Sequence, residues 1–228
     1  MKFRTFIFSL VIGLLMLTST NAFADIVWGD KSAAYLWFEP TGEVQLTPGE
    51  EVGVSVYFHA VKNITKFVGF GLNIGFDDSA IGGKELTYVD FEYGPEVLSH
   101  LGTDEGVGYL PGEATNSGHE GESLFHGDRY DWSFEGFSVP AGTDLLLYTV
   151  YFTFNGGSWD GEDIWVEWHK PVPNESYFDV DVEGQPTYID ELNIQGGTPD
   201  FAAVPIPAAL WLLGSGLLGL IGMRRKME

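Results

Sequence analysis

Gly118-His119-Glu120-Gly121-Glu122 puts an imidazole and two carboxylates within four positions, the donor types that zinc and copper take. The zinc-protease pattern His-Glu-x-x-His is not completed, because Ser123 stands where the second histidine belongs. A looser set of His119, Glu120, Glu122, His126 and Asp128 remains as a candidate transition-metal cluster, weighed against an ordinary solvated loop. A second set, Asp179, Asp181, Glu183 and Asp190, follows a twelve-position calcium loop in which alternating carboxylates wrap the ion and Gly184 permits the turn. Val180 and Val182 alternate with those acids, however, and Pro186 and β-type flanks favour a strand entering a hairpin.

Catalytic patterns are sparse. A glycosidase needs two carboxylates across a cleft, and so acidic a chain supplies such pairs by chance. No Gly-x-Ser-x-Gly elbow, phosphate loop or dinucleotide fingerprint occurs, so no enzyme and no cofactor beyond calcium is expected. The tryptophans offer binding chemistry instead, because flat aromatic faces stack on sugar rings. On the strand expected over Ile164 to His169, Trp165 points away from Ile164, Val166 and Trp168, and is the candidate glycan-stacking residue if the opposite face is core. The reading favoured over it places the indoles in the core or on the sandwich rim, because aromatics supply much of the core area in β proteins.

These residues sit among short strands. Val52, Val54, Val56 and Phe58 alternate with Gly53, Ser55, Tyr57 and His59, and Val68 to Phe76 and Leu146 to Phe154 repeat the period of two. Further strands are expected at Ala34 to Phe38, Val44 to Leu46, Leu86 to Tyr93, Tyr130 to Phe137, Ile164 to His169 and Tyr188 to Ile194. Turn signals such as Pro48-Gly49, Gly156-Gly157 and Glu183-Gly184 separate them, and Gly94 to Gly127 reads as a long loop. No segment sustains a helical stripe. The expected fold is all-β, an antiparallel two-sheet β-sandwich of jelly-roll type, with each strand burying one face.

The 228 residues include 33 acidic and 11 basic side chains and no cysteine, so disulfides and thiolate metal sites are excluded. Lys2, Arg4, Arg224, Arg225 and Lys226 lie at the termini, and setting them and Glu228 aside leaves 6 basic residues against 32 acidic ones. A field of that sign disfavours nucleic acid and anionic lipid surfaces and leaves neutral glycans, cations or proteins as partners.

The ends read as targeting segments. Lys2 and Arg4, the apolar run Phe6 to Leu17 and Ala22-Phe23-Ala24 form a secretory signal over residues 1–24. Residues 25–200 form the expected sandwich domain, and residues 201–228 a tail whose apolar helix, about 207–223, spans a membrane with Arg224, Arg225 and Lys226 held in the cytoplasm.

Val204-Pro205-Ile206-Pro207-Ala208, the glycine-rich apolar helix and the terminal Arg-Arg-Lys resemble the VPLPA variant of PEP-CTERM sorting signals. That resemblance implies an exosortase-like processing enzyme as partner. It also implies an exported protein of the cell envelope or extracellular surface, anchored at least transiently in the inner membrane. The Pro48-Gly49-Glu50 turn, the Gly71 to Asp78 strand and the late Asp181 to Pro186 hairpin are similar to cohesin-like domains of bacterial surface proteins. The resemblance implies a binding or structural sandwich, non-enzymatic, facing extracellular polysaccharide or surface proteins.

Overall fold

The computed structural model describes residues 27–28, 30–77, 85–102, 108–111, 114, 123–157, 163–168 and 176–204. The expected secretory signal over residues 1–24 and the expected tail from Pro205 onward, with the span, motif and basic end read there, lie outside the described residues. Among the described residues no helix is long and apolar enough to cross a membrane.

The domain is a sandwich of two sheets with a small third one at its edge. The smaller layer contains β2 (Ala34–Glu39), β4 (Glu51–Ala60), β6 (Leu86–Tyr93), β10 (Asp144–Phe154) and β14 (Asn193–Ile194), in the order β14-β2-β4-β10-β6. The larger layer is built on the thirteen-residue β5 (Ile64–Phe76), flanked by β12 (Tyr177–Val182) on one side and β8 (Ser123–Tyr130) on the other. It continues through β13 (Gln185–Ile189) to β1 (Val27–Trp28), through β7 (Gly108–Leu110) at the opposite edge, and by β9 (Phe137–Val139) and β11 (Ile164–Glu167) against β5. The third sheet pairs β3 (Gly42–Leu46) with β15 (Pro199–Ala203). The main ladders are antiparallel as expected, but β1 with β13, β14 with β2 and β15 with β3 are parallel edge pairs.

The period of two fixes which residues meet between the layers. Val54, Val56 and Phe58 from β4 and Leu147, Val150, Phe152 and Phe154 from β10 face Phe70, Leu72, Ile74, Phe76, Phe178 and Val180 from the larger sheet, all buried. Aromatic edges and faces interlock there, with Phe58 and Phe67 edge-on at 5.2 Å and Phe76 and Phe152 at 4.8 Å.

Several boundaries differ from expectation. Residues 131–136 form a turn rather than the strand expected over Tyr130 to Phe137, because Asp131 binds the turn's own backbone. The expected strand over Tyr188 to Ile194 is split, its first part pairing in the larger sheet and its last two residues crossing to the smaller one. A short helix, α1 (Pro95–His100), starts in the stretch read as loop, with Pro95 in its first turn and Val97 buried beneath it. The sandwich also runs past Asp200: Phe201 is fully buried beside Phe154, and the Phe201 amide donates to Asp163.

Candidate functional site

The outer face of the larger sheet is covered. Along β5, Gly69, Gly71, Asn73 and Gly75 point away from the core, opposite Tyr130, Asp128, His126 and Leu124 of β8. Large side chains from neighbouring strands lie across these glycines. A Cβ at Gly75 would come within 2.0 Å of the Trp165 ring, and one at Gly69 within 2.3 Å of the Tyr130 ring. Trp165 is therefore 3% exposed and packs with Leu124 and Ala114, and the expectation that it offers an open face for a sugar is corrected. Strand alternation put Trp165 on the outer face, as read; the glycine beneath it closed that face.

The metal-ligand expectations resolve differently. Glu183 and Gly184 have φ of 52° and 85°, a two-residue hairpin turn between β12 and β13. Asp179 and Asp181 stand two apart on β12, Glu183 occupies the turn, and Asp190 lies beyond the end of β13, so the weaker, calcium-loop alternative does not describe these four acids and the segment is the favoured hairpin. Among the described residues no three His, Asp or Glu side chains gather as metal ligands. Of the second set, His119, Glu120 and Glu122 lie outside the described residues. His126 and Asp128 are buried: His126 Nδ1 donates to Asn73 Oδ1 at 2.9 Å, while its Nε2 is 3.8 Å from Asp128 Oδ2. Asn73 Nδ2 in turn donates to Ser176 Oγ at 3.2 Å, and the Ser176 hydroxyl to the Glu167 carbonyl at 2.6 Å.

Beside this buried chain the tyrosines are pinned by acids. The Tyr130 hydroxyl donates to Asp179 Oδ2 at 2.6 Å and the Tyr177 hydroxyl to Asp128 Oδ2 at 3.3 Å. Burial first, then the adjacent carboxylates, pushes both hydroxyls well above the ordinary tyrosine range.

The turn after β8 projects outward. Asp131 Oδ1 accepts from the Ser133 amide and hydroxyl at 2.9 and 2.7 Å, and Oδ2 accepts from the Gly136 amide at 2.8 Å. These bonds, the Ser133 hydroxyl foremost, hold the Asp131 carboxyl below the usual carboxylate range. The knot forces Phe134 to φ of 59°, a conformation that bulky residues rarely adopt. Trp132 and Phe134 stand 58% and 56% exposed, leaning on Tyr130 at ring separations of 4.8 and 5.8 Å. Next to them a cleft of about 320 Å³ is lined by Lys66, Val68, Phe134, Asp179, Asp181 and Tyr188. Sequence reasoning missed this knuckle; its signal was Asp131-x-Ser133 within the predicted strand, a pair that favours turns.

The outer face of the smaller sheet is open and aromatic. Register pairs Tyr35 with His59 and Trp37 with Tyr57, and the rings stack at 4.4 and 4.1 Å. Asp144 Oδ1 accepts from Trp37 Nε1 at 2.9 Å and from His59 Nδ1 at 2.8 Å. His59 thus gives its Nδ1 proton to Asp144, the same oxygen that holds the Trp37 indole.

No family model matches the chain, and no curated protein does. Solved structures do resemble it in fold. The seventh ScaB type I cohesin from Pseudobacteroides cellulosolvens is 15% identical, with 76% of this chain and 96% of that one covered and a TM-score of 0.46. A type III cohesin module of the ScaE cell-surface anchoring scaffoldin of Ruminococcus flavefaciens is 15% identical, covering 72% of this chain and 91% of that one, TM-score 0.43. The non-cellulosomal cohesin of Archaeoglobus fulgidus is 12% identical, covering 77% and 94%, TM-score 0.41.

Proposed function

We propose that the chain is an exported, non-enzymatic sandwich that binds a protein partner at the cell surface or in the extracellular matrix, using the turn that projects after β8 from the larger sheet. The observation that carries this reading is the Asp131 knot, which holds Phe134 in a strained conformation while leaving Trp132 and Phe134 in solvent. Strain and exposed aromatic area both cost folding free energy, and they are kept where a partner repays them. Preorganised aromatic anchors beside a cleft are the usual centre of a protein interface.

The experiment is capture from host extracellular extract on the immobilised full chain, followed by identification of the retained protein and titration of variants with it. Trp132→Ala should weaken that purified partner at least about tenfold, and Asp131→Ala should weaken it similarly by loosening the knuckle while leaving the melting temperature within a few degrees. A partner that binds both variants as it binds wild type would remove the knuckle from the interface.

Delivery rests on the ends. The signal over residues 1–24 starts export, and an exosortase-like enzyme reads Val204 to Ala208 while Arg224 to Lys226 orient the apolar segment, anchoring the protein at least transiently in the inner membrane. Deleting residues after Val204 should release the domain into the medium, whereas Pro205→Ala with Pro207→Ala should leave it unprocessed in the membrane. Processing of the double variant at the wild-type rate would reduce the tail to a plain anchor.

A further inference from the structure

The open face of the smaller sheet contains more than stacked cross-strand pairs. Tyr35 and Trp37 alternate with Leu36 and Phe38 on β2, so the same period that buries Leu36 and Phe38 sets Tyr35 and Trp37 outside. Each stacks on β4, Tyr35 against His59 at an interplanar angle of 17° and Trp37 against Tyr57 at 8°, which covers one face of each ring. Cross-strand stacking accounts for that contact. It does not account for the cleft of about 300 Å³ that opens on the same residues, bounded by Tyr35, Trp37, Thr41, His59, Asp144 and Gln195.

The walls of this cleft are fixed from several sides. Trp37 is held by its indole N–H on Asp144 Oδ1, and His59 shares that oxygen. On the opposite rim, the Gln195 amide donates to the Leu36 carbonyl at 2.8 Å, which sets the backbone at the end of β14. Thr41 Oγ1 lies 2.8 and 2.9 Å from the carbonyls of Gly196 and Gly197, which carry φ of 84° and 81°. Glycine is required there because the chain turns back over β2 in the left-handed region. The rim is thus preorganised, which lowers the ordering cost of binding.

Its polar groups identify the ligand class. Asp144, with its side chain 47% exposed, has a second carboxylate oxygen that takes no partner among the described residues, and the Gln195 side-chain amide is likewise unengaged among them and exposed. The first only accepts hydrogen bonds; the second both donates and accepts. A hydroxyl does both and satisfies such a mixture, whereas an ammonium or guanidinium only donates. Anionic ligands are repelled by a domain with 32 acidic side chains between its termini. Aromatic walls with a few convergent polar groups, at the small end of ligand-site volumes, suit one ring with apolar faces and hydroxyl edges. We infer that this cleft binds a neutral sugar residue of an extracellular polysaccharide, with Trp37 as the stacking platform and Asp144 and Gln195 as hydroxyl partners. The site lies on the opposite sheet from the knuckle, so it adds a second specificity rather than restating the first.

The test is affinity electrophoresis of the full chain in mild detergent through gels containing a soluble β-glucan, a xylan, a galactomannan, a polygalacturonate or a lysine-rich peptide polymer. Retardation by at least one neutral polysaccharide is expected, with the charged polymers ineffective at moderate salt. Trp37→Ala should raise the dissociation constant at least about tenfold and Asp144→Asn at least about fivefold. Asp144→Asn preserves shape, so it decides the matter if Trp37→Ala fails to fold. Trp132→Ala should leave retardation unchanged while weakening the protein partner, which separates failure at this cleft from failure at the knuckle. No neutral polysaccharide binding, binding untouched by Asp144→Asn, or retardation by the lysine-rich polymer alone would each overturn the inference.

Discussion

The two outer faces of this sandwich are written in the same alternating code and end up in opposite states. On the smaller sheet, the outward positions of β2 and β4 carry Tyr35, Trp37, Tyr57 and His59, which stand on a full-sized neighbour and remain partly exposed. On the larger sheet, the outward positions of β5 carry Gly69, Gly71, Asn73 and Gly75, and the residues beside them fall across the vacancy and bury themselves. From Phe67 to Phe76 every residue of β5 is buried, on both faces. An outward aromatic is thus a surface feature or a second core depending on what lies beside it. Trp37 is of the first kind and Trp165 of the second.

The comparison assumes that both faces rest on one core, and the last strand tests that most severely. Phe201 is fully buried beside Phe154 although it lies one residue beyond the boundary drawn at Asp200. Phe201→Ala should cost about 3–5 kcal/mol in urea unfolding, the usual range for a buried phenylalanine. A chain ending at Asp200 should unfold at markedly lower urea than one ending at Val204. Equal midpoints would mean that β15 is an ornament and not part of the sandwich.

The second prediction sharpens the glycine argument. Gly75→Ala forces a Cβ into the buried Trp165 ring at 2.0 Å and should destabilise by about 2–3 kcal/mol. Gly53→Ala, on the open sheet, meets Tyr151 at 3.0 Å, where the far edge of a partly exposed ring can yield, and should cost under about 1 kcal/mol. Similar losses at the two sites would show that the faces do not differ as described.

A smaller effect concerns pH. Burial first, then Asp179 and Asp128 respectively, raises the Tyr130 and Tyr177 hydroxyls above the ordinary tyrosine range. A group whose folded pKa is raised keeps its proton in the native state after the unfolded chain has lost it. The stability it contributes is complete below about pH 10 and declines as pH rises beyond that value toward the folded pKa. Unfolding free energy should therefore fall above about pH 10, and Tyr130→Phe with Tyr177→Phe should flatten that fall. The measurement is chemical denaturation as a function of pH with tyrosinate absorbance in parallel. An unchanged slope in the double variant would place the alkaline sensitivity elsewhere.

The fold was largely legible in the chain. Period-two alternation found β4, β5 and β10, because one face of each packs against the other sheet. The hairpin at Glu183-Gly184 was legible for a similar reason: local chemistry sets the turn. Asp131-x-Ser133 was equally local but lay inside an apolar run that read as strand, so the knuckle went unseen.

What the chain by itself determined was the all-β class, the strand faces, the acidic surface and the absence of disulfides, because these follow from periodicity and composition alone. Only the tertiary structure decided which outward aromatics are buried and that Phe201 belongs to the core. Each depends on a residue brought close from far along the chain. Trp165 meets Gly75, Tyr130 meets Asp179, and Asp144 meets both Trp37 and His59. Sequence spacing fixes where a side chain points; it does not fix what arrives opposite to it, and at these sites that neighbour sets the chemistry.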